Sequence, residues 1–108
     1  MEQLEYIYNA VVDATVQASG IPLSRLMNSR SDQCVTARVV LIDVLLQLDM
    51  AETDIVTCSG MSQQRVNSLK NSRKFRMKSL GARVLKEEVL VSIANFQTIG
   101  EGFAPLRL

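Results

Sequence analysis

The chain has 108 residues, 47% hydrophobic and 21% charged, with a formal net charge of +1. Those totals predict one globular domain with a modest core over 1–108, and they exclude a disordered polymer. No run of about 18 uncharged apolar residues is present to cross a membrane, and an acidic start (Glu2, Glu5) is unlike a secretory leader, so a cytoplasmic location is expected.

From Glu2 to about Ala18, the spacing of Leu4, Ile7, Tyr8, Val11, Val12 and Ala18 predicts an amphipathic helix. Ser19-Gly20-Ile21-Pro22 ends it, with Gly suited to a C-terminal cap and Pro to the opening of the next element. A short helical turn, Leu23 to Met27, and a polar loop, Asn28-Ser29-Arg30-Ser31, follow. Asp32 to Leu48 is apolar nearly all round, apart from a thin stripe of Thr36, Asp43 and Gln47; such a helix belongs at the centre of a bundle. Asp32 in its first turn complements the helix dipole. Its β-branched content also permits a strand, but the segment is too long for an ordinary one.

Asp49-Met50 interrupts the pattern. Ala51 to Ser59 predicts a short helix with Ile55, Val56 and Cys58 inward. Gly60-Met61 is a turn, and Ser62 can cap a further helix running to about Asn71. Helix, short Gly-containing turn, helix is the pattern of a helix-turn-helix, here over about 51–72, with a C-terminal extension over 73–108. Val66 and Leu69 must face the core, which leaves Gln64, Asn67, Ser68 and Asn71 outward, flanked by Gln63, Lys70 and Lys74. In the extension, Arg73 to Leu80 predicts a basic helical stretch anchored by Phe75, Met77 and Leu80. Ala82 to Ile99 predicts a last helix with Val84, Leu85, Val89, Ile93 and Phe96 inward, although EEVLVSI also suits a strand. Phe103, Leu106 and Leu108 close the chain; the last helix and this tail either complete the bundle, the preferred reading, or supply a homodimer contact.

The near-neutral total conceals a strong asymmetry. Residues 1–54 carry eight acids and three bases, whereas residues 55–86 carry eight bases and no acid. A block of that kind calls for a polyanionic partner, or for acidic residues of its own fold. The chain has no His and two Cys, which removes His-based triads and leaves too few ligands for a structural zinc tetrahedron. No cofactor, metal or enzymatic activity is therefore expected. Cys34 and Cys58 lie in apolar helical patterns and read as free thiols, with a disulfide the less favoured alternative.

In order and spacing, several pieces resemble the C-terminal DNA-binding domain of the bacterial replication initiator DnaA, an all-α bundle in the broad helix-turn-helix class of the Trp repressor. They are LSRLM (23–27), NSRS (28–31), Ala37-Arg38 opening a long apolar helix, Asp54-Ile55, and GMSQQRV (60–66). The likeness covers about residues 10–75. It implies that Arg30 enters or borders the minor groove, that Arg38 touches a phosphate, and that Ser62, Gln63 and Gln64 read bases. Two departures matter: Ser-Gln-Gln stands where the family has Asp-His-Thr, and Met61 replaces the Arg after the Gly. Recognition of the initiator's own site is therefore not expected, and no Gly-rich phosphate loop is present.

Together these readings predict a sequence-dependent double-stranded DNA-binding protein, either a transcriptional regulator or an accessory factor in DNA maintenance. Gln63, Gln64 and Asn67 would read bases, while Arg30, Arg38, Arg65, Lys70, Arg73 and Lys74 would hold phosphates. Five phosphate contacts would give a salt slope near −4 to −5. The alternative is a protein-interaction module on the same scaffold that meets an acidic partner.

Overall fold

A computed structural model describes residues 2–99, with side chains described for 3–94. Among these residues there are six helices and no strand: α1 (Glu2–Ser19), α2 (Leu23–Asn28), α3 (Asp32–Gln47), α4 (Glu52–Ser59), α5 (Gln63–Arg76) and α6 (Leu80–Ile99). The segment read as either strand or helix, EEVLVSI, is helical. No helix among the described residues is long and apolar enough to cross a membrane.

The all-round apolar segment becomes the hub. α3 packs against each of the other five helices, and Leu41, Ile42 and Leu45 are fully enclosed. Removing each of those side chains from water contributes about 2 kcal/mol. α1 adds Ile7, Tyr8, Val11 and Val12 to the same core, and α6 adds Ala82, Val89 and Ile93. A buried hydroxyl on α1 finds its partner within the helix: Thr15 Oγ1 donates to the Val11 carbonyl at 2.7 Å.

Local chemistry explains most of the boundaries. Gly20, at φ 72°, ends α1, with its N–H donating to the Val16 carbonyl. Ser31 caps α3 by accepting from the Cys34 N–H. After α3, Asp49 takes the left-handed conformation at φ 67°, and the Met50 N–H reaches back to the Leu45 carbonyl at 3.1 Å. Asp tolerates that region better than most side chains, so the helix stops without a glycine.

The C-terminal half departs from expectation in two ways. α5 does not stop at Asn71 but continues to Arg76, since no Gly or Pro interrupts it and a basic last turn (Arg73, Lys74, Arg76) suits the helix dipole. Ser79 then caps α6 by accepting from the Ala82 N–H at 3.2 Å, which sets the start two residues earlier than predicted. Moreover, Phe75 and Leu80 are not anchors: they are 75% and 71% exposed, and Val84 is also exposed. Of the proposed anchors only Met77 packs, half-buried, against the core. The side chain of Phe96, and Phe103, Leu106 and Leu108, lie outside the described residues.

Candidate nucleic-acid interface

α4 and α5 are joined by a three-residue turn whose geometry follows from its sequence. Gly60 closes α4 at φ 77°, Met61 is buried as a plug, and Ser59 Oγ accepts from the Met61 N–H at 3.0 Å. Ser62 starts α5 by accepting from the Arg65 N–H at 3.1 Å. Val66 and Leu69 are buried, so Ser62, Gln63, Gln64, Asn67 and Ser68 point to solvent around the N-terminal half of the helix. Gln63 Nε2 donates to Glu52 Oε1 at 3.2 Å, whereas Gln64 and Asn67 make no side-chain hydrogen bond among the described residues. This helix end also carries a partial positive charge from its unpaired N–H groups.

The six expected phosphate ligands separate into three pairs. Arg38 and Arg65 point inward. Arg38 is 5% exposed, and its Nε and Nη2 donate to the Leu26 and Ser29 carbonyls, both at 2.6 Å. Arg65 Nη2 donates to the Met27 carbonyl. Burial, and then the neighbouring Arg65, pull the Arg38 pKa below its ordinary value. The resemblance places Arg38 on a phosphate; in the structure its guanidinium is enclosed and holds main-chain carbonyls instead.

Lys70 and Arg73 form the second pair, each matched by a carboxylate. Lys70 Nζ meets Glu52 Oε2 at 2.5 Å, and Arg73 Nη1 meets Asp43 Oδ1 at 3.2 Å. Two further bases behave alike: Arg76 pairs with Asp32 at 2.6 Å, and Lys86 with Asp43 at 2.7 Å. The basic run is therefore not a surface free of carboxylates, because half of the eight bases of 55–86 are matched by acids of 1–54.

Arg30 and Lys74 are the third pair, both exposed and without an ion pair among the described residues. Arg30 sits in the loop after α2, where Arg38 holds the neighbouring Ser29 carbonyl, and Arg65 of α5 reaches the Met27 carbonyl at the end of α2. Ser62, Gln63, Gln64 and Asn67 share the N-terminal half of α5 and Lys74 lies two turns further along it, while Arg30 stands on the separate loop between α2 and α3. The sequence left acidic residues of the fold itself as one of two partners for the basic block, and four of the eight bases meet them, but it did not name which carboxylates. The available signal was the polar stripe of α3, whose Thr36 accepts from Arg76 at 2.9 Å and whose Asp43 takes two cations.

Cys34 is buried and Cys58 half-buried, and both are free thiols. Compared with family models, curated proteins and solved structures, this chain matches none.

Proposed function

We propose that this protein binds double-stranded DNA in a sequence-dependent manner through a helix-turn-helix made of α4 and α5, as a transcriptional regulator or an accessory factor in DNA maintenance. One observation carries the reading: the capped, positively polarised end of α5 exposes amide and hydroxyl side chains, and its Arg65 holds the Met27 carbonyl, three residues before exposed Arg30. Amides on a helix suit the donor and acceptor pattern of the major groove, with Gln and Asn matched to adenine. Arg30 and Lys74 supply charge for the flanking phosphates. The likeness of residues 10–75 to the DNA-binding domain of the initiator supports the same mode.

Internal pairing lowers the expected electrostatic share. Of the six expected phosphate ligands only Arg30 and Lys74 are uncommitted among the described residues, and with Lys70 and Arg73 able to exchange carboxylate for phosphate the salt slope falls to about −2 to −4. A retardation assay on mixed duplexes across a salt series tests this, and no binding at low salt overturns it. In the same assay Gln64→Ala relaxes sequence choice by about ten-fold or more at one base position. Lys74→Ala weakens all duplexes by a similar factor.

One observation favours a second reading. Phe75, 75% exposed, lies between the exposed cations Lys74 and Lys78, a combination suited to an acidic protein surface with an apolar centre. Co-purification with an acidic protein and no nucleic acid, seen in the ratio of absorbance at 260 and 280 nm, distinguishes it. With two Tyr and no Trp, bound nucleic acid dominates that ratio.

A further inference from the structure

Behind the exposed face of α5 lies an open cleft of about 830 Å³, formed where α3, α5 and α6 meet. Its volume falls within the range of small-molecule sites. Five cations line it against two carboxylates, Asp43 and Glu87. Asp43 lies deep, its side chain 13% exposed, and bridges Arg73 of α5 and Lys86 of α6. One negative charge between two positive ones leaves the floor cationic. On the rim, Lys74 of α5 and Arg83 of α6 are exposed and have no carboxylate within ion-pair distance among the described residues. Arg83 makes one weak hydrogen bond, 3.4 Å to the Lys78 carbonyl, so its guanidinium is available to a ligand. Beside these charges are two half-buried apolar side chains, Met77 and Leu90.

A concave wall on which cations outnumber carboxylates draws anions to it, and a guanidinium fork matches phosphate oxygens. A ligand satisfying every part of the cleft carries a phosphate and a compact apolar body. We propose that the cleft between α3, α5 and α6 binds a small organic phosphate, with the phosphate between Lys74 and Arg83 and the body against Met77 and Leu90. The proposal does not rest on DNA binding. A duplex can reach the rim through Lys74, but a cleft with a cationic floor and an apolar wall suits a discrete molecule better than a passing backbone.

Calorimetric titration of the full chain with inorganic pyrophosphate, orthophosphate and a panel of nucleoside and sugar monophosphates tests it. Pyrophosphate is expected to bind saturably, with Kd below about 1 mM, and Arg83→Ala to weaken it at least ten-fold with the thermal midpoint of the free protein unchanged. At least one monophosphate of the panel should bind five-fold or more tightly than orthophosphate, since its body reaches the apolar wall. Absence of saturable pyrophosphate binding, or binding indifferent to Arg83→Ala, overturns the site. Equal affinity for orthophosphate and every monophosphate overturns the organic ligand. Retardation assays on Arg83→Ala separate this from the duplex: a loss of DNA affinity parallel to the loss of pyrophosphate makes the cleft a backbone track and overturns the proposal. A protein that binds no DNA leaves the titration fully readable.

Discussion

At Arg38 a charge sits inside the fold, which is costly unless every donor is met. The compensation comes from α2, a six-residue helix whose last carbonyls have no partner within it. The Ser29 N–H reaches the Arg25 carbonyl, Arg38 takes those of Leu26 and Ser29, and Arg65 takes that of Met27. Two arginines from two other helices thus finish α2, and their positive charge suits its C-terminal dipole. Arg38→Met keeps the aliphatic stem but strands two carbonyls, and it should destabilise the fold by about 2–4 kcal/mol in urea denaturation. DNA affinity per folded molecule should fall by no more than Arg30→Ala lowers it, because Arg38 bears on DNA only through the Ser29 carbonyl beside Arg30. A phosphate-contact role predicts the reverse, with stability kept and affinity lost. Nothing in the sequence marks this function, because main-chain carbonyls nine and twelve positions away leave no side-chain pattern to read.

Among the elements, the junction of α4 and α5 shows most directly how local chemistry places the candidate interface. Gly60 sits at φ 77°, and a Cβ built there meets nothing within 4 Å. Strain is then purely that of the backbone, and Gly60→Ala should cost about 1–2 kcal/mol, read as a fall in the thermal midpoint of about 4–8 °C per kcal/mol. Because that turn sets the direction of α5, DNA affinity should fall with it, whereas Gly81→Ala, inside α6 with open space around it, should leave both unchanged or slightly improved. The same contrast explains what was legible. Gly20-Ile21-Pro22 and Gly60 are marked breaks, and the buried pair Val66 and Leu69 fixes which side of α5 faces out. The break at Met77–Ser79 has neither Gly nor Pro to mark it, so the sequence reads as one helical stretch from Arg73 to Leu80 with Phe75 and Leu80 as anchors, whereas both face solvent.

Across the whole molecule, the segregation of charge along the chain is partly undone by folding. Its presence can be counted from the sequence, but its cancellation cannot, because that depends on which face of α5 and α6 meets the polar stripe of α3. Asp43 is the hinge of this arrangement, holding Arg73 at 3.2 Å and Lys86 at 2.7 Å with a side chain 13% exposed. Asp43→Asn preserves shape and one acceptor oxygen but removes the charge, leaving two cations from different helices facing each other. Stability should fall by about 1 kcal/mol, a modest figure because both cations remain partly exposed. The loss should shrink as salt screens the repulsion, and paired urea titrations at low and high ionic strength would show it. Anion binding should move the opposite way, since the cleft gains one unit of positive charge and Arg73 and Lys86 become available. Pyrophosphate should bind more tightly, and the salt slope for DNA should steepen by about 1 to 2. If instead both ligands bind more weakly while the fold stays intact, Asp43 orders its two cations for the anion rather than neutralising them, and the charge balance proposed for the cleft is wrong.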